Sequence, residues 1–252
     1  MALIELKNVT KRFGQLLVLD DISLAIEAGK STVILGASGS GKSVILKHIV
    51  GLLKPDSGEV WFDGLRIDTM RDKELMKVRR RLGFLFQGGA LFDSMTVADN
   101  VGFPAKEHTS KSPAEIAALV QRCLTMIGLP EIGAKMPGEL SGGQRKRVAL
   151  ARSIALGPEV IVYDEPTTGL DPIRSDVINE LILKLQRELK VTSIVVTHDM
   201  NSAFKVGNRL VMLHEGKIIE DGPPELFRNA ANPIVKRFVA GEADERELAG
   251  LR

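Results

Sequence analysis

Eight consecutive residues, Gly36-Ala37-Ser38-Gly39-Ser40-Gly41-Lys42-Ser43, combine three glycines with a lysine and a terminal hydroxyl. That set suits a chain of phosphates. Glycines let successive backbone N–H groups curl inward as donors, which a Cβ at those positions would hinder. Lys42 can then reach the β- and γ-phosphates, Ser43 can ligate Mg²⁺, and a helix starting there points its positive end at the anion. The segment follows the apolar run Ser31-Thr32-Val33-Ile34-Leu35 and precedes Val44-Ile45-Leu46-Lys47-His48-Ile49-Val50. It reads as a loop between a buried strand and a helix, and in that setting a mere Gly/Ser-rich turn is the lesser reading.

Three further positions carry polar groups where apolar runs end. Val160-Ile161-Val162-Tyr163 reads as a buried strand that finishes in Asp164-Glu165, and carboxylates at the C-terminal edge of a central strand lie where open α/β sheets bind ligands. Asp164 suits a Mg²⁺ ligand and Glu165 a residue that polarises an attacking water; the alternative is an exposed acidic turn. Ser193-Ile194-Val195-Val196 ends in Thr197-His198-Asp199. His198 is either structural or a contact that senses a γ-phosphate. Leu140-Ser141-Gly142-Gly143-Gln144 opens a helix; Ser141 and Gln144 have capping-box spacing, which leaves two helix-weakening glycines to explain. Their natural use is to let an anion approach the helix N-terminus. Phe13, an aromatic on a polar segment, either stacks on a nucleotide base or caps the edge of the core.

The elements that must hold these groups are legible in outline. Residues 2–7, 22–26 and 60–62 alternate or run as strands of an antiparallel sheet. A short strand over Leu82–Phe86 ends in Gln87-Gly88-Gly89. From about 90 to 155 strand character gives way to helical periodicity, clearest over 113–127, with Pro104, Pro113, Pro130 and Pro137 expected to punctuate connections. This predicts a helical lobe inserted between two strands of the core. A long amphipathic helix follows Asp171-Pro172, then a hairpin over 209–221, two short helices near 223–229 and 233–240, and a charged tail from Glu242.

Composition narrows the function classes. With 34 basic and 32 acidic residues among 252, the net charge is +2, which gives no electrostatic case for a nucleic-acid partner. The basic runs Lys77-Val78-Arg79-Arg80-Arg81 and Arg145-Lys146-Arg147 lack interleaved aromatics and read as solvated helix faces. Cys123 stands alone, so no intrachain disulfide forms, and a reducing compartment is expected. The N-terminus lacks the features of a secretory leader and no apolar run approaches ~18 residues. The expectation is a cytoplasmic chain that serves a membrane, if at all, through another chain.

Taken in order, these motifs resemble the ATPase subunit of ATP-binding cassette (ABC) transporters along essentially the whole chain. Gly36 to Ser43 match that family's Walker A loop, Gln87 its Q-loop, Leu140 to Gln144 its LSGGQ signature and Ile161 to Asp164 its Walker B strand. Glu165 falls on the catalytic glutamate, Gly169-Leu170-Asp171 on the D-loop and His198 on the switch histidine. The resemblance implies an α/β P-loop NTPase core with a mainly parallel sheet, a flanking antiparallel β subdomain and an inserted α-helical subdomain, forming one ABC ATPase domain over 1–240. It implies ATP and Mg²⁺ as ligands. Ser43, Gln87 and Asp164 would serve the metal; Lys42, Glu165 and His198 would serve hydrolysis. Phe13, Val44, Gln144 and Asp171 join the loop and signature among the nucleotide contacts. Two positions depart from the family's habit: Phe13 stands where Tyr is commoner, and Val44 where Thr is common, which removes one contact near the α-phosphate.

Residues 41–58, 86–97 and 103–109 are further similar to the Mla-type branch, whose permeases work with MCE proteins in lipid traffic. By that resemblance the partners are a second copy in an ATP sandwich, an integral-membrane permease met through the Gln87 region and helical lobe, a periplasmic MCE-type lipid-binding protein and a small regulatory subunit. The cargo would be a phospholipid or another hydrophobic molecule, and the chain would sit peripherally on the cytoplasmic face of the inner membrane. The charged tail over 241–252 either dangles or docks on a neighbour such as the second copy. The competing reading is a non-transport cassette ATPase of repair, translation or cluster assembly. Such proteins usually carry tandem cassettes or long coiled coils, and this chain shows one motif set and no sustained heptads.

Overall fold

The computed structural model describes residues 2–243; the expected docking tail therefore lies, from residue 244 on, outside the described residues. Strands β1 (Ala2–Phe13) and β2 (Leu16–Glu27) form an antiparallel pair, whereas β3 (Ser31–Leu35) leaves for a second sheet. Strand β4 (Ser57–Phe62) pairs with β1 and turns into β5 (Leu65–Arg66), completing a four-stranded sheet in the order β2-β1-β4-β5. Alternation predicts an end to β1 at Lys7. The strand instead runs on to Phe13, because a bulge between Leu6 and Val9, with Asn8 at φ 51°, returns Val9 to the buried face.

The second sheet has six strands in the order β10-β9-β3-β8-β7-β6, where β6 is Leu82–Leu85, β7 Val160–Asp164, β8 Thr192–Thr197, β9 Arg209–His214 and β10 Lys217–Gly222. All run parallel except β10, which returns as a hairpin on β9. Every residue of β3 and β8 is buried, as expected of parallel strands covered on both faces. Ile34, Val162 and Val196 pack toward the antiparallel sheet and helix α1 (Lys42–Ile49), while Val33, Leu35, Tyr163 and Val195 pack into a larger cluster with the remaining helices.

Helix α2 (Asp72–Arg79) precedes β6, and three helices lie between β6 and β7: α3 (Val97–His108), α4 (Pro113–Met126) and α5 (Gly142–Ile154). Thr96 caps α3 by accepting from Asp99 N at 3.1 Å, and Ser112 and Glu115 form a capping box on α4 with Pro113 in its first turn. Pro104 does not punctuate a connection. It sits within α3, where its missing N–H deprives the Asn100 carbonyl of the usual donor. The Asn100 side chain, fully buried, ties down the preceding loop: Oδ1 accepts from Phe92 N at 2.8 Å, and Nδ2 faces the carbonyls of Phe92, Met95 and Thr96 at 3.0–3.1 Å. Cys123 is a packed thiol of α4, pushed up to about 11 by burial.

Helix α6 (Pro172–Leu189) and α7 (Met200–Val206) follow β7 and β8, and α8 (Pro224–Arg228) and α9 (Pro233–Ala240) close the described chain. Among the described residues no helix is long and apolar enough to cross a membrane.

The basic runs are not simply solvated. Arg79 donates to the carbonyls of Val50 and Gly51, and Arg81 pairs with Glu159 and Asp63 while lying over the Phe62 ring at 4.6 Å. In the second run Arg145 is exposed but Lys146 is only 7% exposed. A helix turns about 100° per residue, so the middle of three consecutive cations can face inward while its neighbour faces water.

Candidate functional site

The C-terminal ends of β3, β7 and β8 meet along one edge. Parallel register pairs Leu35 with Thr197 and Asp164 with Val196, so Gly36, Glu165 and His198, each next after its strand, emerge side by side. A cavity of about 750 Å³ opens there, lined by Ala37, Ser38, Gly39, Gly41, Lys42, Ser43, Val44, Gln87, Asp164, Glu165 and His198. Gly36 and Ser40 lie under the loop instead. A Cβ on Gly36 would stand 2.4 Å from Leu213 O and 2.6 Å from Ser40 Oγ, so only glycine fits that crossing. Lys42, the first residue of α1, curls back to donate to the carbonyls of Gly36 (2.7 Å) and Ala37 (2.8 Å). Burial pushes its ammonium below the usual lysine range, and the charges of Glu165 and Asp164 oppose that shift.

Glu165 is held at every polar atom. Its N–H donates to Val196 O at 2.9 Å, and its carbonyl accepts from Thr168 N at 3.3 Å and from Lys146 Nζ at 3.0 Å. Oε2 accepts from Thr168 Oγ1 at 3.0 Å, and Oε1 lies 3.0 Å from His198 Nδ1. An ionised carboxylate only accepts, so Nδ1–H donates and Nε2 is the ring atom left for a further contact. The backbone of Glu165 is left-handed, φ 49°, a conformation that costs a non-glycine residue about 1 kcal/mol or more. Strained, fully tethered carboxylates of this kind belong to functional sites more than to plain turns.

Oxygen donors on Ser43, Gln87 and Asp164 share the cavity wall. Burial, and next the charge of Glu165, hold Asp164 above the usual carboxylate range, against the pull of Lys42, Lys47 and Lys146. A hard divalent cation fits such a set. Among the described residues no cluster of three or more His, Cys, Asp or Glu stands ready to hold a metal alone.

Other expected residues lie elsewhere. Phe13 ends β1 with 49% of its surface exposed and is not in the cavity wall, where Val18 is; capping of the core edge, one of its two readings, is not what it does. Ser141 to Gln144 and Asp171 are also absent from the wall. The capping box does form: Gln144 N donates to Ser141 Oγ at 3.3 Å, and Ser141 N to Gln144 Oε1 at 2.9 Å. Asp171 caps α6 through Arg174 N at 2.9 Å. A Cβ on Gly142 or Gly143 would meet only ordinary contacts, 3.8 Å to Leu170 and 3.7 Å to Arg174, so nothing among the described residues demands glycine there. Sequence reasoning missed Val18, Thr168, Lys146 and the end of α9, where Phe238 and Glu242 border the cavity. Only Thr168, three residues after Glu165, left a local signal.

Because its carboxyl is raised above the unfolded value, ionised Asp164 costs stability that sets in as pH rises past the ordinary carboxylate value, is complete above the raised one, and fades below about pH 3, where both states are protonated. Asp164→Asn should therefore raise the melting temperature of the nucleotide-free protein at pH 7, by about 2–4 °C per kcal/mol relieved, and leave it nearly unchanged near about pH 3; thermal scans at the two pH values check this.

Comparison with known proteins agrees with this geometry. The model of the ABC transporter family matches residues 19–168. The intermembrane phospholipid transport system ATP-binding protein MlaF of Haemophilus influenzae is 43% identical over 242 residues, covering 96% of this chain and 92% of that protein. The probable ribonucleotide transport ATP-binding protein mkl of Mycobacterium leprae is 42% identical over 238 residues, covering 94% and 69%. Among solved structures, cbiO1 from Clostridium perfringens superposes with a TM-score of 0.84 at 31% identity, covering 99% of this chain and 98% of that one. The ATP-binding cassette MJ0796, in a dimeric post-hydrolysis state bound to ADP and Pi, gives 0.81 at 38% identity, covering 88% and 98%. With its phosphate loop, acidic strand end and relatives over nearly its whole length, the chain belongs to the ABC transporter family, as an ATPase whose hydrolysis is coupled to transport.

Proposed function

We propose that two copies of the chain close head to tail around two ATP molecules and drive a permease that moves phospholipid between membranes. The observation that carries the dimer is the split of the site: the phosphate loop, Asp164, Glu165 and His198 share one cavity, while Ser141 to Gln144 and Asp171 stand outside it with glycines that nothing among the described residues requires. Those glycines then admit the γ-phosphate of the partner's nucleotide to the N-terminus of α5. Loop amides and Lys42 hold the β- and γ-phosphates, and Lys42 exchanges its carbonyl contacts for phosphate oxygens. Mg²⁺ bound by Ser43, Asp164 and Gln87 supplies neutralisation of the phosphate charge. Glu165 orients water for in-line attack, and His198, fixed through Nδ1, presents Nε2 to the γ-phosphate. Loss of that phosphate removes contacts that held the two chains together, which is a population shift controlled by nucleotide. Phe13 is the candidate for base stacking, reached only from the exposed face.

The cargo reading rests on the names of the MlaF relatives. Phospholipid transport fits a peripheral subunit on the cytoplasmic face of the inner membrane, joined to the permease through the Gln87 segment, with an MCE-type lipid-binding protein and a small regulatory subunit in the same complex. The name of the mkl relative makes ribonucleotide the second candidate. Purification of the complex from native membranes and mass spectrometry of its bound small molecules separates the two: phospholipid is expected, and bound ribonucleotide cargo without lipid would overturn the reading.

The chemistry has its own checks. Glu165→Gln should keep ATP binding within about three-fold and lower turnover by about 10³-fold, the scale of losing a group that acts in the transition state; unchanged phosphate release would remove Glu165 from its role. A Ser141→Arg chain mixed with a Lys42→Ala chain retains one intact composite site, so ATP-dependent pairing, read by light scattering, should appear in the mixture and in neither variant alone.

A further inference from the structure

We propose that Lys146 is a positioning residue for hydrolysis: from the helix that carries the signature it holds the main chain of Glu165, and thereby sets where that carboxylate points. The inference rests on the reading of Glu165 as the residue that orients water. Lys146 Nζ stands 3.0 Å from the Glu165 carbonyl, and the side chain is 7% exposed although its neighbour Arg145 is in solvent. An ammonium is costly to bury unless acids face it, and the groups facing this one are Glu165 and Asp164.

The bond acts at the point where Glu165 needs support. A left-handed glutamate persists only if its surroundings hold both peptide planes. Val196 fixes the plane before it, Thr168 and Lys146 the plane after it, and Thr168 and His198 fix the carboxylate. Of these, Lys146 alone comes from the helical segment between β6 and β7. It lies one turn from Ser141–Gln144 on the same helix. In the composite dimer that helix faces the partner's nucleotide, so engagement at one site bears directly on the carboxylate that serves the other.

Lys146→Met keeps the length of the side chain and removes its donor and charge. In the complex purified from native membranes, kcat for ATP should fall about 10–100-fold, the scale of a misplaced catalytic group. KM and the affinity for a fluorescent ATP analogue should stay within about three-fold, since Lys146 is not in the cavity wall. Lys146→Arg, which keeps a donor, should recover most of the loss, and Lys146→Met added to Glu165→Gln should lower turnover no further. Unchanged kcat in Lys146→Met, or a loss of nucleotide affinity as large as the loss of kcat, would overturn the proposal. If Lys146→Met is recovered unfolded, Lys146→Leu, which also lacks a donor, carries the same comparison. Normal turnover in Glu165→Gln would instead sink the reading of Glu165 on which the inference stands.

Discussion

The register of three parallel strands governs everything at the site. Leu35 opposite Thr197 and Asp164 opposite Val196 bring the phosphate loop, the acidic pair and His198 out at the same level. A slip of one residue would displace a strand end by about 3.3 Å and turn its side chains to the other face. Burial on both faces does not by itself forbid such a slip, since both faces are apolar. The ends do: Gly36 passes Leu213 O too closely for any side chain, and Glu165 extends the ladder past β7 by donating to Val196. The loops lock the strands as much as the strands place the loops.

Around that edge the charges come in balanced sets. Lys42 and Lys47 on α1 and Lys146 on the signature helix all act on the acidic pair, with Lys42 and Lys146 the most buried of them. Those two and the carboxylates are partly stripped of water, and each would be unaffordable alone. Arrival of a nucleotide upsets this balance by adding several negative charges. A divalent cation bound with the substrate, as proposed, would offset that charge, and Asp164, raised by burial and by Glu165, would be one of the groups it relieves.

Much of this was legible in the residues. β3, β7 and β8 announced themselves as apolar runs ending in glycine, acid and histidine, because a strand covered on both faces has no polar alternation to confuse the reading. What failed did so for local reasons. Pro104 looked like a boundary because proline usually breaks helices, yet packing of α3 carries it inside. Lys146 was hidden in a basic run, where helical rotation, not composition, decides which cation turns inward. β1 outran its alternation through a bulge at Asn8, and bulges leave no periodic trace. That the signature stands outside its own chain's cavity was expected from the family resemblance and from no local pattern, since it depends on how α5 is set against the sheet.

The Asn100 clamp bears on kinetics of assembly. One buried amide fixes Phe92, Met95 and Thr96, so the segment beyond Gln87 has already surrendered its backbone entropy during folding, and under the proposed permease contact a partner would meet a surface that is already ordered. Docking on such a patch, if the proposed contact forms there, would not wait for a loop to order, and differences in partner strength would then be expressed in how long the complex lasts more than in how fast it forms.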